Sequence, residues 1–273
     1  MGLCCRTVAS GSKGNCIYVE NSGRALLVDA GISLKRIEQE LRGIGKSLEN
    51  VEGILVTHEH SDHTKALGML AKKTGLPVYV PYLAAKEIYL CLANSGRIAE
   101  ADAFRECVRV VETNKCYGVA GINVQTFTVP HDSLVCFGYR FSDDNGEGLL
   151  GISTDMGCVT GEIYENLLGC ESVIVESNHD PEMLKHSSYP AYLIERIRSD
   201  RGHLSNPDCA ALCRELVKNG SRNLTLFHLS EENNRPKLAF SQTDDLLRSA
   251  GARSGADYVL NVASPAGITE VCG

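Results

Sequence analysis

The chain has 273 residues, 43% of them apolar, and 27 Lys and Arg stand against 34 Asp and Glu for a net charge of −7. That apolar share excludes a disordered chain, and its longest apolar runs fall short of the ~20 residues that a bilayer span needs. The acidic balance excludes a surface coated in basic residues, but not a nucleic-acid substrate, because divalent cations reverse the field locally.

Length and the lack of repeats or linkers fit one large α/β domain over residues 1–273. The amino-terminal Met1-Gly2-Leu3-Cys4-Cys5-Arg6 has neither the apolar stretch nor the cleavage site of a secretory leader. The twelve cysteines are scattered rather than framed. Reduced buried thiols and a cytoplasmic location are therefore expected.

In chain order, the segment Ser10-Gly11-Ser12-Lys13-Gly14-Asn15-Cys16 reads by spacing as a turn. Its backbone N–H groups have room to approach an anion, which makes Ser12 and Asn15 candidate substrate contacts. Strands are expected at Cys16 to Val19 and Arg24 to Val28 around a hairpin at Asn21-Ser22-Gly23, then a helix over Lys35 to Leu41. The apolar run Val51 to Val56 reads as a strand and opens directly into Thr57-His58-Glu59-His60-Ser61-Asp62-His63. Three imidazoles and a carboxylate from one turn suit a borderline divalent metal better than a solvated His-rich loop.

Helices over Thr64 to Lys73 and Leu83 to Asn94 flank a strand at Val78 to Val80. Strands follow at Ile122 to Val129, Cys136 to Phe141 and Leu149 to Ser153, the last two joined through Asp143-Asp144-Asn145-Gly146. Further strands at Ser172 to Val175, Asn223 to Phe227 and Tyr258 to Val262 alternate with helices over Tyr189 to Ile197, Pro207 to Lys218 and Lys237 to Ala250. Two mixed sheets with helices outside fit this order better than one doubly wound parallel sheet.

His131, Asp155 and His228 each come just after one of these strands, at the rim of a sheet. With the first cluster they complete a set of His58, His60, Asp62, His63, His131, Asp155 and His228, enough for two metals. Here the chain resembles the metallo-β-lactamase superfamily, with Leu26-Leu27-Val28-Asp29-Ala30-Gly31 matching its first motif. The resemblance implies a four-layer αββα sandwich with the metals at one edge. It implies that His58, His60 and His131 bind one ion, that Asp62, His63 and His228 bind the other, that Asp155 bridges them, and that Asp29 is structural. Paired cations acidify a shared water and neutralise charge on a carbonyl or phosphoryl group, and Asp62 is the residue to orient that water. An Asp at position 155, where zinc β-lactamases carry Cys, points to the glyoxalase and phosphodiesterase branches.

Three further stretches bear on the substrate. Gly202-His203-Leu204-Ser205-Asn206-Pro207-Asp208 reads as a helix start capped by Ser205, also a candidate substrate contact, with His203 just ahead of it. The segment is similar to one in tRNA 3′-processing and carbon–phosphorus-pathway phosphodiesterases, which implies that His203 steadies phosphate oxygens or protonates the leaving alkoxide. Val175-Glu176-Ser177-Asn178-His179-Asp180 supplies substrate contacts such as His179, or caps the next helix. Arg196, Arg198 and Arg201 suit phosphate, and Tyr189 and Tyr192 suit base stacking, although a solvated face and a core role are open alternatives for them.

Taken together, SGSKGN, THEHSDH, ESNHD and GHLSN resemble the WalJ-like (YycJ/VicX) branch. The resemblance implies a binuclear phosphodiesterase acting as a 5′-to-3′ DNA exonuclease, with a link to mismatch repair. Two alternatives stand beside it: a glyoxalase-type thioester or lactone hydrolase, and a non-enzymatic regulator that keeps the metals as structure. The expected cofactors are two divalent ions, zinc or manganese with iron admitted. The expected partner is nucleic acid, which the resemblance narrows to DNA, with no membrane and no protein partner legible.

Overall fold

The computed structural model describes residues 3–272, so the part of the amino-terminal reading that falls on Met1 and Gly2 lies outside the described residues. Six strands build most of the first sheet: β1 (Leu3–Ala9), β2 (Cys16–Asn21), β3 (Arg24–Val28), β4 (Val51–Leu55), β5 (Val78–Pro81) and β6 (Val108–Val111). The second sheet holds β7 (Cys116–Val119), β8 (Ile122–Val129), β9 (Cys136–Ser142), β10 (Gly148–Ser153), β11 (Ser172–Glu176), β12 (Asn223–Phe227) and β13 (Val259–Val262). The last strand, β14 (Thr269–Cys272), returns to the first sheet beside β1, giving the orders 14-1-2-3-4-5-6 and 13-12-11-10-9-8-7.

Both sheets are mixed, as expected. The β1–β2 and β2–β3 pairs are antiparallel and β3 to β6 run parallel. In the second sheet β7 to β10 are antiparallel and β10 to β13 parallel. The expected hairpins form at Ser22-Gly23 and at Gly146, all three of which hold a positive φ. Alternation sets the layers: Ile17, Val19, Leu26 and Val28 face Tyr139, Phe141, Ile152 and Phe227 across the space between the sheets. Each such side chain contributes about 1.5–3 kcal/mol by leaving water.

On the outer face of the first sheet lie α1 (Leu34–Gly43), the one-turn α2 (Ser61–Thr64), α3 (Leu67–Thr74), α4 (Tyr82–Asn94) and α5 (Ile98–Cys107). Across the second sheet come α6 (Gly161–Leu167), α9 (Asn206–Lys218) and α10 (Pro236–Ser249), while α7 (Pro181–Lys185) and α8 (Ala191–Arg198) lie in the connection from β11 to α9. The architecture is the αββα sandwich. All twelve cysteines are free, in line with reduced thiols. Among the described residues, no helix is long and apolar enough to cross a membrane.

Candidate metal centre

Every ligand candidate sits where a strand gives out. β3 ends at Asp29, β4 runs into Thr57 to His63, and β8, β10 and β12 end just before His131, Asp155 and His228. Asp29, Asp155 and His228 all adopt left-handed backbone, with φ of 61°, 54° and 55°. Non-glycine residues rarely accept that conformation, and here it turns the chain sharply at the strand end and aims the side chain back over the sheet rim.

Partners behind the ligands then fix four of the rings. His63 directs Nδ1 at Asp29 Oδ2 over 2.7 Å, and Asp29 also accepts from Thr57 N and Thr57 Oγ1 at 2.8 and 2.9 Å. His58 Nδ1 faces Thr57 Oγ1 at 2.9 Å, His131 Nδ1 faces the Gly202 carbonyl at 3.2 Å, and His228 Nδ1 faces Asn15 Oδ1 at 3.2 Å. Four imidazoles thus spend their outer nitrogen on the protein and turn the inner one toward a common space.

Apart from the Asn15 amide, which faces His63 Nε2 at 3.0 Å, that inner space has few protein partners. His58 Nε2 is buried with no hydrogen bond. His60 Nδ1 and His131 Nε2 face each other at 3.3 Å. Asp155 spans the remainder, with Oδ2 3.2 Å from His63 Nε2 and Oδ1 3.2 Å from His228 Nε2 and 3.9 Å from His131 Nε2. The ligand atoms of His58, His60 and His131 lie within 4.8 Å of one another, as do those of Asp62, His63 and His228, and of His58, His63 and Asp155. All seven expected ligands converge.

Electrostatics suit cations in this space. Burial, reinforced by His63, holds the His58 imidazole well below its usual range, so it stays neutral with a lone pair to give. Burial opposes charge on Asp155, yet the imidazoles of His228 and His63 overcome it and hold the carboxyl well below the usual carboxylate range. Clustered imidazole lone pairs, a buried anion and an orphaned nitrogen are the donor set that a divalent metal satisfies. These residues could hold a divalent cation.

A second buried pair adjoins it. His203 directs Nδ1 at Glu176 Oε1 over 2.6 Å, and its ring stacks on His228 with centroids 5.3 Å apart. Glu176 is fully buried, and its other oxygen accepts from Met156 N at 2.6 Å and Leu204 N at 3.2 Å. Burial alone would depress His203, but Glu176 outweighs it, with help from Asp155 and Asp132, and the imidazole is raised to about 9. No hydrogen bond among the described residues uses Nε2 of His203, whose side chain is 21% exposed. Glu176 is the functional residue that sequence reasoning missed. It lies in the stretch singled out for Asn178, His179 and Asp180, and its signal was a carboxylate closing an otherwise apolar strand.

The basic residues ahead of His203 have structural work. Arg201 donates to the carbonyls of His131 at 2.9 Å and Ser133 at 3.2 Å, and Arg196 pairs with Asp132. Together with the Gly202–His131 contact, these bonds brace the loop of one ligand against the loop of His203.

The proposed substrate contacts separate. Ser12 is exposed on its loop. Asn15 is buried, and its amide faces His63 Nε2 at 3.0 Å and Asp62 Oδ2 at 3.4 Å while its carbonyl accepts from Gly11 N at 2.8 Å. This ties the Gly/Ser loop to the second half of the ligand set. The segment after β3 crosses both: a Cβ on Gly31 would stand 1.6 Å from the Asp62 carbonyl oxygen and 2.7 Å from Asn15 N. Ser205 caps α9, accepting from Asp208 N at 3.3 Å, with Pro207 in the first turn. His179 is buried, has an unpartnered Nδ1 and is pushed down to about 4 by burial. Asp180 caps α7 through Met183 N at 2.9 Å.

The Asp29–His63 contact gives a first expectation. Asp29→Asn keeps a residue that tolerates left-handed backbone but removes the charge facing His63, so metal affinity should fall ~10–100-fold. Competition against a chromophoric chelator measures it, and wild-type affinity would show that Asp29 does not set the ring.

The family model described as Beta-lactamase superfamily domain matches residues 24–229. Exodeoxyribonuclease WalJ of Streptococcus pneumoniae is 36% identical over 258 residues, covering 94% of this chain and 93% of that protein. Exodeoxyribonuclease YycJ of Bacillus anthracis is 35% identical over 272 residues, covering 99% of each. Among solved structures, the metallo-β-lactamase fold protein YhfI from Bacillus subtilis superposes with a TM-score of 0.69 at 15% identity, covering 99% of this chain and 100% of that one.

Proposed function

The chain belongs to the β-lactamase superfamily, and on that premise we propose that it is a metal-dependent phosphodiesterase that degrades DNA from its ends, 5′ to 3′, within a single domain. The observation that carries the reading is the buried Glu176–His203 pair set against Asp155: a positioned proton donor beside the metal ligands suits departure of an alkoxide from phosphorus. The names of the nearly full-length relatives support DNA as the polymer.

His58, His60 and His131 would hold one ion and Asp62, His63 and His228 the other, with Asp155 between them. Two divalent cations bound there supply Lewis acidity, acidifying a water and neutralising charge on the phosphoryl oxygens. Asp62, half-buried at the edge of the set, orients the attacking water and accepts its proton, which passes on to solvent. As the new P–O bond forms, the P–O3′ bond breaks and its electron pair leaves on the 3′-oxygen. That oxygen takes the proton from Nε2 of His203. Glu176, bonded to Nδ1, fixes the ring so that Nε2 is the edge presented.

End-labelled single- and double-stranded DNA and RNA test the reading. Released 5′-mononucleotides from DNA, lost on chelation and restored by zinc, manganese or iron, are expected; the imidazole-rich set suits zinc and the carboxylates suit manganese. Turnover of lactoylglutathione with none of DNA overturns it in favour of a thioester hydrolase.

A further inference from the structure

A cavity of about 600 Å³ adjoins the metal centre, with Glu59, His60 and Lys65 of the metal loop on its wall. Ile88, Cys91 and Leu92 of α4 and Leu134 from the loop after His131 also line it. His60 belongs both to this wall and to the cation set, so the cavity and the metal centre share a wall.

The wall has three distinct chemistries. Ile88 and Leu92 are buried beneath it, while Leu134 stands 55% exposed, held in place because its backbone N donates to Glu59 Oε1 at 2.7 Å. The other oxygen of that carboxylate, Oε2, is buried with no partner. Lys65 is exposed and enters none of the ion pairs found among the described residues, whereas Arg97 nearby is occupied by Glu100.

We propose that this cavity is the subsite for the nucleobase of a deoxynucleotide flanking the phosphate at the metal centre. The inference rests on the phosphodiesterase reading and names where that substrate's base goes. The apolar surface receives the face of the ring, as sequence-tolerant base sites do. Glu59 Oε2 accepts an N–H from its edge; all four bases carry at least one such donor, so the contact grips without reading sequence. Lys65 meets a backbone phosphate at the rim.

Cys91, an exposed thiol on this wall, reports occupancy without any need for turnover, and the exposed Cys116 on β7 serves as the internal control. Alkylation of metal-loaded protein by iodoacetamide is followed by peptide mass spectrometry with saturating dAMP or with deoxyribose 5-phosphate, which lacks a base. Cys91 should be protected at least fivefold by dAMP and not by the sugar phosphate, with Cys116 unchanged by either. Equal protection by both ligands, or none by dAMP, overturns the proposal. In Leu134→Asp, an exposed position that folding does not depend on, the protection by dAMP should disappear at unchanged metal content; protection that persists also overturns it. Failure of the unmodified protein to cut DNA would instead sink the phosphodiesterase reading, while the Cys91 footprint still tells whether a base enters.

Discussion

His203→Ala is expected to keep its full metal content and lose ~10²–10⁴ in kcat on DNA, the usual worth of a positioned proton donor. The ring stacks on His228 and lies near His131, yet its nitrogens bond to Glu176 and to nothing in the ligand set within hydrogen-bonding distance. Truncation should therefore remove the acid and spare the metals. Glu176→Gln isolates the support: Nδ1 retains a neutral acceptor, so an intermediate loss is expected. Elemental analysis beside single-turnover cleavage separates the cases. Wild-type turnover in His203→Ala would remove that residue from the chemistry, and lost metal would recast it as part of the ligand set.

Asp155→Asn should be more damaging. The carboxylate reaches both His63 and His228 at 3.2 Å and is the only buried anion that touches imidazoles from both halves of the set among the described residues. Asparagine tolerates the left-handed backbone required there, so the fold should survive. Without the negative charge, bound metal should fall below the wild-type content. Losing the stabilisation that a cation gives a phosphoryl transition state, several kcal/mol, lowers kcat on the order of a thousandfold. Wild-type metal content in this variant would show that the carboxylate is dispensable.

Much of this was legible in the sequence because the ligands cluster at the ends of periodic runs. Arg24–Val28, Ile122–Val129 and Asn223–Phe227 form with the expected bounds, and the residue or turn after each supplies the expected side chain. What escaped is instructive. β1 reads Leu-Cys-Cys-Arg-Thr-Val-Ala, where a buried cysteine does the packing of a larger apolar residue. β6 and β14 are four-residue strands with exposed positions, too short to show a period. α5 buries only Ala101, Phe104 and Cys107, a face too slight to stand out. Glu176 was obscured for another reason: it acts through a partner more than 20 residues away, and Asn15, expected as a substrate contact, likewise pairs with the distant His63 only once the chain folds.

Gly31 carries a lesson about tolerance. Its α-hydrogen faces the Asp62 carbonyl at the tightest glycine contact among the described residues, and even a methyl group there would overlap oxygen. A position with no reactive atom therefore governs how far an acidic side chain stands from its imidazole neighbours. Damage from a change there would pass for a defect in chemistry, although its origin is the thickness of the backbone.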